Sequence, residues 1–236
     1  MPQDGASAGF ALRSSPFGRP GGPTRRAWLA HCSVSLAILA GAVPTARAIA
    51  RPAKVLVVGD SLSAEYGLAR GSGWVALLEQ RLQREKIVAT VVNASISGDT
   101  TSGGRTRLGS LLDQHKPTHV IIELGSNDAL RGLPLAMTRD NLTVMVRAAR
   151  DRGAQVLLIG MRMPPNYGRA YTQEFESMFP TLAKAEGAAL VPFMLAGVAD
   201  SPNATGLFQD DRLHPNAQAQ PLIFDNVWPV LRRQLR

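Results

Sequence analysis

The chain has 236 residues, 45% of them hydrophobic, 19% charged and 6% aromatic, with a formal net charge of +8 and a single cysteine. That length and apolar content support one domain with a real core and exclude wholesale disorder. One cysteine excludes a disulfide framework and a cysteine-based zinc cluster.

The basic excess invites a nucleic-acid reading, which depends on where the charge sits. Up to about residue 26 the chain is rich in Gly, Pro, Ser and Arg without an apolar period. An apolar run follows from Ala27 to Val43, and then Thr45-Ala46-Arg47-Ala48-Ile49-Ala50. A basic start, an apolar middle and an A-x-A end form the signature of an export signal. The run is short for a bilayer of ~30 Å and contains His31, so residues 1–50 are expected to be a removable signal rather than an anchor. Cleavage is expected after Ala48 or Ala50. Thr24-Arg25-Arg26-Ala27-Trp28-Leu29 resembles a twin-arginine signal, which implies export of a folded protein. Arg13, Arg19, Arg25, Arg26 and Arg47 stand against Asp4 in this segment, so half of the +8 leaves with it, as does Cys32. In residues 51–236 Arg147, Arg150 and Arg152 form a dense basic run, and no aromatic residues interleave with it as single-strand binding requires. A nucleic-acid partner is not expected, nor a membrane span once the signal is gone. The expected location is periplasmic or extracellular.

From Lys54 the pattern alternates. Lys54–Val58 is a short apolar run ended by Gly59, as in a strand buried on both faces. Trp74, Leu77, Leu78 and Leu82 follow at helical spacing. Ala89–Asn93 reads as a strand, followed by a helix ending near Gln114 with Pro117 as a stop. His119–Glu123 is a third strand. Thr138–Arg152 is helical, with Leu142, Met145, Val146 and Ala149 on one side and Gly153 as its stop. Gln155–Ile159 is a strand, Tyr171–Glu186 a helix, Ala189–Val191 a short strand. Ala217–Leu235 closes as a helix broken or kinked near Pro221 and Pro229. Five β-then-α units predict one domain over residues 51–236, a three-layer α/β/α fold of flavodoxin-like type with a five-stranded, mainly parallel sheet.

In such sheets the ligand site lies outside the carboxyl ends of the strands. Gly59-Asp60-Ser61-Leu62-Ser63, Asn93–Thr100 and Gly125-Ser126-Asn127-Asp128 stand there, and Asp210–Asn216 stands near the C-terminus. These stretches offer a hydroxyl, an imidazole, carboxylates, an amide and a glycine N–H, the groups acyl transfer requires. A serine hydroxyl needs a base, and histidine supplies one near neutrality. Asp211, three residues before His214, can hold its tautomer. Asn127, Gly98 and the N–H of Ser61 are candidate oxyanion donors. Taken alone, Ser61 reads as a helix N-cap, Asn127 as a turn cap and Gly98 as a positive-φ position. Asp60 reads as a structural acceptor and Asp210 as a solvated neighbour. His115 and His119 read as surface or strand-edge histidines, because Pro117 between them forbids one helical face. Glu174 and Glu176 read as helix surface. Within residues 51–236 no Gly-x-Ser-x-Gly elbow and no phosphate-binding glycine motif occurs, and the histidines do not cluster with acids as a metal site requires.

The blocks 59–63, Gly98, 125–128 and 211–216 together resemble the SGNH/GDSL hydrolase family. Asn93–Thr100, Val120–Gly125 and Arg162–Gly168 resemble its bacterial thioesterase I/protease I/lysophospholipase type and arylesterase members. The likeness runs from about Lys54 to the C-terminus. It implies Ser61 as nucleophile, Ser61, Gly98 and Asn127 as the oxyanion hole, and Asp211 with His214 completing the triad. It further implies an exported, monomeric esterase or thioesterase acting on aryl esters, acyl thioesters and lysophospholipids, without metal or cofactor. Ala129–Leu133 resembles the family's mobile substrate loop, and Ala129, Leu130 and Pro165 are the expected substrate contacts. Ser126 and Glu65 stand where the narrower group commonly has glycine. Two other readings share the fold: a deacetylase of surface polysaccharide, and a binding module for an acyl or glycan ligand without turnover.

Overall fold

The computed structural model describes residues 52–236. The expected export signal of residues 1–50 and its cleavage positions lie outside the described residues.

The continuous apolar runs become strands because both faces of the sheet are covered. β1 (Ala53–Gly59), β2 (Ala89–Asn93), β3 (His119–Glu123), β4 (Gln155–Ile159) and β5 (Ala189–Val191) form one sheet, ordered β2-β1-β3-β4-β5. Every neighbouring pair is parallel, where the sequence predicts a mainly parallel sheet. Central β3 is buried along its whole length, and β2 at one edge is only half-buried.

α1 (Trp74–Arg84) and α6 (Gln220–Gln234) pack together, while α2 (Thr101–His115), α4 (Leu135–Asp151) and α5 (Arg169–Glu186) pack in succession. The buried stripe Leu142, Met145, Val146 and Ala149 is the core-facing side of α4. α4 begins at Leu135 rather than Thr138, and the sequence reading has no counterpart for the single-turn helix α3 (Ser126–Leu130). α6 runs through both prolines. Pro221 sits in the first turn, where no backbone donor is needed, and Pro229 leaves one acceptor of the ladder unpaired without ending the helix. The Gln220 side chain, buried, accepts the N–H of Trp74 at 3.1 Å and so caps α1 from α6.

His119 is not a surface residue. It is 7% exposed at the start of β3, its Nδ1 2.8 Å from Thr118 Oγ1 and its Nε2 3.1 Å from the Gln234 carbonyl. Burial lowers its pKa from the ordinary histidine value.

At the end of β4, Gly160 lies so close to the chain after β5 that a Cβ would stand 2.4 Å from the Pro192 carbonyl oxygen. Backbone cannot yield as a side chain can, so Gly160→Ala is expected to cost at least about 1–3 kcal/mol. Urea unfolding checks this. A variant with the wild-type midpoint would show that the β4–β5 ends are not packed this closely.

Candidate active site

The strand order reverses direction between β1 and β3, and the crevice at that switch point is where this sheet type binds ligands. The turn after β1 carries Ser61, and α3 after β3 carries Asn127. The segment before α6 brings in Asp211 and His214.

The Ser61 hydroxyl oxygen lies 2.9 Å from His214 Nε2, and His214 Nδ1 lies 2.7 Å from Asp211 Oδ2. The other Asp211 oxygen accepts the N–H groups of Leu213 and His214, each at 2.9 Å. The backbone of His214 first, then that of Leu213 and the imidazole, hold the Asp211 carboxyl at a pKa of about 2. It is therefore ionised throughout the range in which histidine titrates. The Tyr66 ring lies against the His214 ring, centroids 4.4 Å apart. Glu65, φ 59°, accepts N–H bonds from Gly71 and Gly73 and so ties down the loop that carries Tyr66.

Ser61, Gly98 and Asn127 line one cleft. Neither Ser61 N–H nor Gly98 N–H has a protein acceptor among the described residues. Gly98 has φ 78°, a conformation other residues adopt only with strain, and Arg131 fixes its peptide by donating to its carbonyl at 2.8 Å. The Asn127 amide differs. Its Nδ2 donates to Asp60 Oδ2 and to the Asp99 carbonyl, each at 3.0 Å. An oxyanion bonded to this amide would have to share one of those hydrogens.

Next to the hydroxyl opens a cleft of about 650 Å³, walled largely by apolar side chains including Leu130, Met161, Met163, Phe193 and Leu195. Of the expected substrate contacts, Leu130 is on the wall. Ala129 is corrected: it is 0% exposed, because the turn of α3 that points Leu130 at the cleft points its neighbour into the core. Pro165 opens a short 3-10 turn, Pro165–Tyr167, and its neighbour Pro164 lines the cleft. Ser126 lines the cleft with a hydroxyl that is buried and unpaired among the described residues. Two groups below the site escape the sequence reading, Glu123 and the link from Asp60 to Asn127. The available signal was an acid closing an otherwise apolar strand. Among the described residues no cluster of three or more His, Cys, Asp or Glu is placed to hold a metal ion.

A parallel flavodoxin-like sheet with a hydroxyl–imidazole–carboxylate chain at its switch point is the architecture of a nucleophilic hydrolase. The model of the GDSL-like lipase/acylhydrolase family matches residues 57–221. Esterase TesA of Pseudomonas aeruginosa is 50% identical over 178 residues, 75% of this chain and 87% of that protein. Thioesterase 1/protease 1/lysophospholipase L1 of Escherichia coli K12 is 43% identical over 171 residues, 72% of this chain and 79% of the relative. The crystal structure of the psychrotrophic esterase EstA from Pseudoalteromonas sp., inhibited by monoethylphosphonate, is 41% identical with a TM-score of 0.73. It covers 77% of this chain and 98% of that one. The chain belongs to the GDSL/SGNH lipase–acylhydrolase family, and its activity is that of an ester hydrolase.

Proposed function

We propose that the protein is an exported serine esterase and thioesterase that cleaves acyl esters, acyl thioesters and lysophospholipids through a Ser61–His214–Asp211 triad. The observation that carries this reading is the unbroken chain from Ser61 Oγ through the imidazole to Asp211, 2.9 and 2.7 Å long, at the edge of an apolar cleft.

Ser61 Oγ attacks the acyl carbonyl carbon while His214 Nε2 takes its proton. The carbonyl electron pair moves onto oxygen, where the N–H groups of Ser61 and Gly98 and the Asn127 amide receive it. When the C–O or C–S bond breaks, His214 returns the proton to the leaving alkoxide or thiolate and the acyl group remains on Ser61. Water, deprotonated by the same imidazole, then releases the acid and restores the serine. Asp211 holds Nδ1–H and stabilises the imidazolium. The protein's own groups supply each of these proton transfers.

The cleft walls favour a medium acyl chain over acetyl, since each buried methylene contributes about 0.8 kcal/mol. Aryl octanoate is therefore expected to give a kcat/KM at least about tenfold above aryl acetate, and octanoyl thioester to be hydrolysed as well. A preference for acetyl groups on a glycan would replace the lipid reading with the polysaccharide deacetylase. Export through residues 1–50 and a monomeric state belong to the same proposal. Secretion of a full-length fusion, with loss of residues up to Ala48 or Ala50 by mass spectrometry, tests the first. Light scattering tests the second. Among the described residues no helix is long and apolar enough to cross a membrane.

A further inference from the structure

Beneath the Ser61 turn lies a pair of acids that the triad does not use. Glu123 closes β3 and is 0% exposed; Asp60 follows β1 and is 1% exposed. Glu123 Oε2 accepts the Asp60 N–H at 3.2 Å and the Ser63 hydroxyl at 2.8 Å, and Ser63 Oγ accepts the Trp74 indole N–H at 3.2 Å. The absence of a side chain at Gly59 makes room for this, because a Cβ there would stand 2.7 Å from Glu123 Oε2. Glu123 Oε1 is buried without a partner among the described residues. The Asp60 carboxylate is fully used: Oδ1 accepts the Leu62 N–H and Oδ2 the Asn127 Nδ2, both at 3.0 Å.

Among the described residues no Lys or Arg is ion-paired with either carboxyl. Arg107 reaches the Gly59 carbonyl at 3.4 Å, but its guanidinium is paired with Asp99 at 2.9 Å. Two adjacent acids buried without a cation do not both stay ionised. Burial pushes the Asp60 carboxyl up to about 6, and the Leu62 N–H, the nearby imidazole and the Asn127 amide keep it from rising further, so it is charged at neutral pH. Glu123 is buried more completely and faces the Asp60 charge, so burial and that repulsion both push its pKa up. An orphaned oxygen is costly on a carboxylate, which needs donors at both oxygens, and far less so on an acid carrying its own proton.

Resting on the role given above to Asn127, we propose that Glu123 is a positioning residue of the oxyanion hole that acts as a neutral carboxylic acid, keeping Asp60 a pure acceptor so that the Asn127 amide presents its NH₂ to the reacting oxygen. The amide of Asn127 can turn either face toward Asp60. A charged Asp60, like the Asp99 carbonyl, accepts only, and the two acceptors together select the NH₂ face. If the proton passed to Asp60, only the Asp99 carbonyl would oppose the turned amide: the Asp60 O–H could bond Asn127 Oδ1 and aim that oxygen into the hole, where it would repel the oxyanion.

The test uses Glu123→Leu, Glu123→Gln and Asp60→Asn in the full chain. Glu123→Leu and Asp60→Asn are expected to lower kcat on an aryl ester by at least about tenfold with KM little changed, a part of the effect of losing one oxyanion donor. Glu123→Gln, neutral and a donor like the acid, is expected to recover kcat to within about threefold of wild type. An infrared difference spectrum, wild type minus Glu123→Gln, is expected to show the carbonyl stretch of a protonated carboxylic acid at neutral pH. That band requires no turnover, so its presence or absence bears on Glu123 even if the esterase reading fails. A Gln variant as impaired as the Leu variant, or a spectrum without the acid band, would overturn the proposal. Near-UV circular dichroism identifies a variant that has not folded, and the infrared result then decides.

Discussion

Ser61→Ala is expected to lower kcat for an aryl ester by about 10⁴- to 10⁶-fold, the range seen when a triad nucleophile is removed. The hydroxyl's one hydrogen bond among the described residues is to His214, and the turn is held by others: Asp60 accepts from the backbone of Leu62, Ser63 and Ala64. The Tm and near-UV spectrum are therefore expected to match wild type. Residual catalysis above the water reaction is also expected, because the free N–H groups of Ser61 and Gly98 survive the substitution. A decrease smaller than about tenfold would mean that another group attacks the substrate.

Asp211→Asn is expected to lower kcat by up to about 10⁴-fold, through a different cause. The carboxylate accepts three N–H groups, two from backbone and one from the imidazole. An asparagine can keep the backbone bonds with its oxygen only by turning its NH₂ toward Nδ1. The imidazole is then held with its proton on Nε2, the wrong nitrogen to accept from Ser61. The pH–rate profile carries a second check. Because the Asp211 carboxyl titrates near 2, above the unfolded-like 3.8 it is ionised in the folded and the unfolded protein alike. Its contribution is lost only as pH falls through about 2, so no inflection of the wild-type profile above pH 4 belongs to Asp211. An Asp211→Asn variant with wild-type kcat would assign the orienting role elsewhere, with Asp210 next to be tried.

Much of the site was legible because the fold localises chemistry. Once the apolar runs were read as strands of a parallel sheet, the polar stretches following them had to meet at one edge, and the structure brings Ser61, Gly98, Asn127, Asp211 and His214 together there. The interval from Asp211 to His214 was legible too, since three residues suffice for a carboxylate to reach both the ring and its own following N–H groups. What periodicity could not give was orientation within a single turn. α3 spans Ser126–Leu130, too short for an apolar period, and so Ala129 and Leu130 read alike although one faces the core and the other the cleft. His119 read as an edge residue because its partners, Thr118 and the Gln234 carbonyl, include one that is 115 positions away. The acid pair was invisible for the same reason: Asp60 and Glu123 are 63 positions apart and meet only because β1 and β3 are neighbours in the sheet. Glu65 departs from glycine at a left-handed position, and its carboxylate offsets that cost by bonding Gly71 and Gly73.

The most direct measurement is reaction of the purified protein with a fluorophosphonate, followed by peptide mapping of the adduct. Such a reagent modifies only a serine whose hydroxyl is activated and whose oxyanion pocket is formed. Stoichiometric labelling of Ser61, abolished in His214→Ala, is the predicted result. A folded protein that takes no label, or takes it at another serine, would contradict the triad and leave the cleft as a binding site without turnover.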